Sequence, residues 1–315
     1  MKRSIIKHGP SSYVISLPSS WIKKHDIKKG NEIDVVEQGN HLVVGNNISP
    51  GELEANVDLT GLDRSAILFV IRGFYRLGYK TLNIRFENTT TKYQRAKTPV
   101  TVLSVIHSEV NRLIGYEVIS EKENSCVIKD LQKDSIEEFE NTLKHVFILL
   151  LSAMEDFKKG VKNKDNNILE TMEEKHNTVT KFVSYCLRLL NINNYPVPRK
   201  APYYFHVISC IENIIDIIKY LSRDIRKSNK KLDKKVINII DITSENIKTL
   251  YDFFYKYSKD KINSIHDSWY VIEKIITQLP EKSSKIDIIT ASKMFDIVYL
   301  ICIITEAKGA LSNSH

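Results

Sequence analysis

The sequence predicts a multidomain α+β chain in three parts: a small N-terminal β unit, a small α/β middle unit, and an all-α C-terminal part made of two three-helix bundles. Three observations predict it. Nine of the eleven glycines precede residue 120, which confines tight turns to the first part of the 315-residue chain. Through the first 47 residues apolar side chains alternate with polar ones, the period of strands. From Asp134 onward they recur every three or four residues, the period of helices.

The first domain, 1–48, reads as a strand over 4–7, then Tyr13, Ile15 and Leu17 alternating with Val14 and Ser16. Pro18 suits the first position of a short helix over 19–25, which carries Trp21 and Ile22 on one side. Lys29-Gly30-Asn31 predicts a turn, 32–37 a strand, and Gly39-Asn40 a hairpin turn into a strand over 41–44. Ser49-Pro50-Gly51 reads as a linker. The middle domain, 52–130, reads as a strand near 55–59, a helix over 63–77 stopped by Gly78, and a strand over 81–86. A helix over 99–113 and two strands, 116–120 and 125–128, around a polar turn complete it.

The third domain, 134–312, is helical throughout. Phe139, Leu143, Val146, Leu150 and Met154 mark its first helix; Met172, Val179, Cys186 and Leu190 its second; Val207, Ile211, Ile214, Ile218 and Leu221 its third. Ser135 with Glu138, and Asn167 with Glu170, fit capping signatures at two of the starts. Three further amphipathic stretches follow over 231–257, 261–279 and 284–311. Proline precedes the third member of each triplet: Pro196, Pro198 and Pro202 in one, Pro280 in the other. That recurrence predicts an internal duplication with repeats 134–226 and 231–312.

Composition narrows the function classes. The net charge is +8, from 46 Lys and Arg against 38 Asp and Glu, a mild excess that hints at a polyanionic partner. The four cysteines, Cys126, Cys186, Cys210 and Cys302, form no C-x-x-C pair and sit among apolar neighbours, so reduced core thiols of an intracellular protein are expected. The N-terminus lacks a signal peptide's apolar stretch. The most apolar runs, 146–154 and 297–304, fall well short of the ~20 residues of a membrane span, so the expectation is a cytoplasmic protein without membrane insertion. No phosphate-cradling glycine loop, zinc spacing or nucleophile motif occurs, and no enzymatic activity is expected.

Residues 1–47 are too few to close a sizeable core alone, so their alternating apolar residues ask for a second copy of the same segment. Seven basic residues, Lys2, Arg3, Lys7, Lys23, Lys24, Lys28 and Lys29, face four acids there. A symmetric homodimer would present the N-terminal cations twice, as a phosphate-binding surface. The stretch 13–36 joins a strand ending in Leu17-Pro18, a short helix, the Gly30-Asn31 turn and an alternating strand. It resembles the AbrB/SpoVT swapped-hairpin family. That resemblance implies an intertwined β-barrel dimer touching double-stranded DNA through its N-terminal arm and first loop, at Lys2, Arg3, Lys7, His8, Ser11 and Ser12. A fold that serves only as a dimerisation clasp is the other reading of the same residues.

In the helical part, Glu212 and Asp216 stand four apart on one helix face, a spacing that can hold a cation inside a bundle. The run 209–216 resembles the Glu-x-x-x-Asp signature of the PhoU family, and the proline-punctuated triplets resemble its duplicated three-helix architecture. The resemblance implies a divalent or ferric metal ion at Glu212 and Asp216, with no other cofactor indicated. It also implies control of phosphate uptake, with a phosphate transporter's ATPase or a sensor protein as partner. The motif departs from the family's at Asn213, Ile215 and Ile217, and the second repeat carries Phe295 and Tyr299 where carboxylates would stand. Lys219 and Arg223 share the face of Glu212, so a salt-bridged polar stripe competes with the metal reading. The expected function is a DNA-binding transcriptional regulator of phosphate homeostasis; the alternative is an adaptor that binds a transporter or kinase without touching DNA.

Overall fold

The structure is a computed structural model that describes residues 2–38, 41–45, 53–132, 138–192 and 199–313. The chain divides into two compact units, 1–51 and 52–315.

The head, 1–51, begins with β1 (Ile6–His8) and β2 (Ser12–Val14), paired antiparallel in the register Ile6 to Val14, Lys7 to Tyr13 and His8 to Ser12. Gly9, at φ 76°, takes the left-handed conformation that this tight connection needs. Helix α1 (Ser19–Lys24) follows, and Pro18 is its N-cap rather than its first residue: its carbonyl accepts from the Trp21 and Ile22 amides at 3.0 Å. The expected turn at Gly30 forms, with Gly30 at φ 89° and the Asn31 side chain accepting from the Lys28 amide at 2.7 Å. Strands β3 (Asp34–Gln38) and β4 (His41–Gly45) then pair antiparallel, while Gly39-Asn40 and the Ser49-Pro50-Gly51 linker lie outside the described residues. The barrel expected here is not closed: the described residues hold two separate two-stranded ladders. A barrel made by exchange between two chains cannot close on the strands of one.

In the second unit, β5 (Glu54–Asp58), α2 (Arg64–Leu77), β6 (Thr81–Arg85), the short β7 (Thr90–Thr91) and β8 (Val100–Thr101), α3 (Val102–Val110), β9 (Tyr116–Lys122) and β10 (Ser125–Asp130) follow in order. The main sheet runs β5-β6-β10-β9, with β5 parallel to β6 and β10 antiparallel to both its neighbours. Its inward face is set by alternation, with Leu82, Ile84, Cys126, Ile128 and Asp130 buried. Helix α2 starts where Asp63 accepts from the Ala66 amide at 2.9 Å and stops at Gly78, left-handed at φ 94°. Helix α3 is shorter than its periodicity predicts, because Val100 and Thr101 are taken into a ladder with β7 and Thr101 becomes the cap.

The helices are α4 (Glu138–Asn163), a one-turn α5 (Asn166–Glu170), α6 (Met172–Ile192), α7 (Ala201–Ser228), α8 (Lys234–Tyr255), α9 (Lys259–Thr277) and α10 (Lys285–Asn313). The long members α4, α6 and α7 pack on one another, as do α8, α9 and α10; α7 on α10 and α4 on α8 join the two sets. The cap expected from Asn167 is supplied by Asp165 instead, whose carboxylate accepts from Asn167 and Ile168, and Ser135 lies outside the described residues. Pro196 and Pro198 lie outside them too, whereas Pro202 sits in the first turn of α7, where its missing amide proton costs nothing. Helix α10 is longer and more apolar than its uninterrupted run suggests. By length and composition it could cross a membrane, and half of its apolar window is buried in the bundle, as in a core helix.

The α/β segment and the helices, expected as separate domains, form one unit with a shared core. Arg188 of α6 is the polar joint between them. Fully buried, it donates to the carbonyls of Tyr75 at 2.6 Å and Tyr79 at 3.1 Å, pairs with Asp130 on β10, and lies against the Tyr75 and Tyr116 rings. Lys80 reaches the same carboxylate at 2.8 Å.

Candidate nucleic-acid interface and the carboxylate pair

In the head, Lys2 and Arg3 precede the first strand, and both are exposed. Lys7 and His8 lie on β1, Ser11 in the turn and Ser12 on β2, all exposed as well. Strand alternation divides them. His8 and Ser12 are direct cross-strand partners and share a face with Ile6 and Val14, while Lys7 shares the other face with its partner Tyr13. The turn therefore gathers His8, Ser11 and Ser12 at the hairpin tip, and Lys7 belongs with the arm of Lys2 and Arg3 on sequence proximity and charge. Hydroxyls and an imidazole at the tip, together with the cations of the arm, can donate to phosphate oxygens and accept from base edges.

The head also carries apolar side chains open to solvent. Ile5, Ile6, Tyr13, Val14, Ile15, Val35 and Leu42 are all exposed, Ile5 at 71% and Tyr13 at 69%. Leu17, Trp21, Ile22, Ile27, Ile33, Val43 and Val44 are half-buried, and α1 contains no fully buried residue. Such a density of open aliphatic and aromatic side chains in so short a segment marks a contact surface.

The Glu212 and Asp216 pair lies on one face of α7, as its spacing predicts, and both carboxylates have cationic partners. Glu212 takes Arg76 of α2 at 2.6 Å, and Arg76 also reaches the Ser184 hydroxyl at 3.1 Å. Asp216 pairs with Lys219 and with His176 of α6 at 2.9 Å. Burial alone would raise the Asp216 carboxyl, but hydrogen bonds from His176 and Lys219 outweigh it and hold its pKa at about 2. Among the described residues no group of three or more His, Cys, Asp or Glu side chains gathers in the manner of a metal site. In the second repeat, Phe295 and Tyr299 meet Trp269 edge-on, at ring separations of 5.0 and 5.5 Å, so an aromatic cluster stands where the first repeat has charges. The polar-stripe reading anticipated salt bridges on this face, and Arg223 indeed pairs with Glu173 across to α6.

Two partners escaped the sequence. His176 belongs to an acidic cluster on α6 that reads as a solvated face, yet it is buried and reaches Lys219 at 3.0 Å. Arg76 sits on α2, 136 residues from Glu212. The single available signal was period: Arg72 and Arg76 stand four apart on α2, a cationic stripe matching the acidic stripe of α7.

Residues 6–50 match the family model of the antidote-toxin recognition protein MazE, a bacterial antitoxin. The match spans the head and stops there, so the N-terminus is of the MazE and AbrB type and the helical body has no matched family. No curated protein and no solved structure matches the chain.

Proposed function

We propose that this chain is a non-enzymatic cytoplasmic transcriptional regulator, dimeric through its head, which binds double-stranded DNA with the arm Lys2, Arg3 and Lys7 and the hairpin tip His8, Ser11 and Ser12. The observation that carries the reading is the coincidence, within the head, of exposed apolar side chains in the matched segment 6–50 and an exposed cationic arm that begins just before it. The apolar residues account for a second copy; the arm, doubled by that copy, accounts for a polyanion.

The finer reading, control of phosphate uptake through a transporter's ATPase or a sensor protein, is supported by the sequence of 209–216 and by the two mutually packed helix triplets. Mapping the DNA bound in cells would name the regulated pathway and test it directly.

Duplex binding, followed by fluorescence anisotropy across a salt series, is the first experiment. Replacing Lys2, Arg3 and Lys7 by Ala removes six cations per dimer, so the slope of log affinity against log salt is expected to flatten by up to about five. An unchanged slope and affinity would remove the arm from the mechanism. A chain that dimerises but binds no duplex at physiological salt would be the adaptor, whose head is a clasp alone.

A further inference from the structure

Within the second unit, a cavity of about 280 Å³ opens between α2, the end of α3, α6 and α7. Six cations line it: Arg64 and Arg72 from α2, Arg95 from the segment between β7 and β8, Arg112 just beyond α3, and Lys219 and Arg223 from α7. Some of this charge belongs to ion pairs that need no ligand. Arg72 holds Glu109 at 2.7 Å, Lys219 holds Asp216, Arg223 holds Glu173, and Glu212 is taken by Arg76 from outside the lining.

Arg64, Arg95 and Arg112 remain. Arg64 has the Tyr93 ring at 4.6 Å, and Arg95 donates to the Tyr220 hydroxyl at 3.2 Å; among the described residues neither forms an ion pair with a carboxylate. Arg112 Nη1 stands 3.6 Å from Glu109 Oε2, beyond hydrogen-bonding distance, while Arg72 holds the other oxygen; among the described residues Arg112 Nε and Nη2 are buried with no hydrogen-bond partner, as is Glu109 Oε2. Buried guanidinium nitrogens without an acceptor are costly, and a protein retains them where something else supplies the acceptor. Burial depresses the Arg112 pKa, and although Glu109 offsets part of this, Arg72 and Arg64 add repulsion. An anion in the cavity would relieve all of these at once.

We infer that this cavity binds a phosphoryl dianion, carried by a small phosphate ester or by free phosphate, with Arg112, Arg95 and Arg64 as its ligands. Planar guanidinium forks approaching from three different elements suit a tetrahedral oxyanion, which offers oxygens on every side; a carboxylate presents two in one plane. The volume favours the ester. A water's share of the liquid is ~30 Å³, so a bare phosphate leaves most of the space unfilled, and Leu68 and Phe69 provide an apolar wall for an organic part. Phe69 is 67% exposed, an open aromatic ring at the lining of a charged cavity.

Isothermal calorimetry on the full chain in a chloride buffer tests it, with adenosine monophosphate, glucose 6-phosphate and orthophosphate as separate probes. One site per chain is expected for at least one phosphoryl probe, with an ester bound more tightly than orthophosphate; orthophosphate binding alone would assign the site to free phosphate. Arg112→Gln is expected to weaken binding at least tenfold, the usual loss when a charge-assisted hydrogen bond to a ligand is removed. Because Arg112 is partly buried, the exposed Arg95→Ala serves as the second variant, with a loss of about the same order and an unaltered thermal unfolding curve. The Lys2, Arg3 and Lys7 triple variant should bind as the parent does. No binding of any probe, or binding that survives both pocket substitutions, or binding lost with the N-terminal arm, would overturn the assignment.

Discussion

Leu42 in the head and Leu82 in the body both occupy alternating positions on five-residue strands, yet the first is 66% exposed and the second fully buried. The local sequence cannot separate them; what lies over each strand does. In the body, α2 packs on α3 and on the bundle helix α6, and one core runs without a break from Val57 into α10. In the head, two ladders and one short helix supply too little apolar surface to cover one another, so the same residue types stay open. The body buries its own core within one chain, and the described residues of the head do not.

The largest effect should come from cutting the joint that makes the body one unit. Arg188→Met leaves the buried Asp130 with Lys80 and the Gln132 amide as its partners among the described residues, and a loss on the order of 3–5 kcal/mol in chemical unfolding is expected, as for removal of one partner from a buried ion pair. A loss under about 1 kcal/mol would mean that the α/β segment and the helices are coupled by apolar contact alone. Second in size is the head. Placing Lys at Tyr13 and Leu42 puts charges onto the uncovered strands, and each buried apolar side chain of this size contributes ~1.5–3 kcal/mol, so sedimentation should show a dimer falling to monomer while the body's unfolding is unmoved. A dimer that survives both changes would move the contact to the body and erase the contrast drawn here.

The smallest effect concerns Asp216. Its pKa is held at about 2 against an ordinary 3.8, so the stability it contributes is present above pH 4 and is lost as pH falls from about 4 to about 2. Asp216→Asn should lower stability at neutral pH and flatten the acid limb of the unfolding curve in that window. The side chain is 38% exposed, so solvent screening keeps the change near 1 kcal/mol or less. An acid limb identical to the parent's would show that the pairing with Lys219 and His176 is not kept in solution.

The helical body was legible because its signal repeats: six long periodic stretches predict six long helices, with Pro280 between α9 and α10 and Pro202 in the first turn of α7. The strands of the middle unit were legible too, to within a few residues, from alternation and from Gly78. Boundaries shifted where a neighbour in space competed, as when β7 drew Val100 and Thr101 out of α3. The carboxylate pair was legible as a pair, and its partners were not. Arg76 and His176 come from helices far away in sequence, and nothing in the spacing of either announces Glu212 or Asp216. The cavity cations are harder still, since Arg64, Arg95, Arg112 and Arg223 sit on four different segments and each alone is an ordinary surface arginine.

By itself, then, the sequence determined what depends on neighbours along the chain: the period of each element, the turns at Gly30 and Gly78, and the charge and apolar character of the head. The tertiary structure decided which charges meet, that Asp130 and Arg188 lock the sheet to the bundle, and that Arg112 is left facing a cavity without an acceptor. The physical reason is one of range. Backbone conformation is set by contacts within about one turn of chain, whereas an ion pair is set by a separation of a few ångströms in space, which folding alone defines.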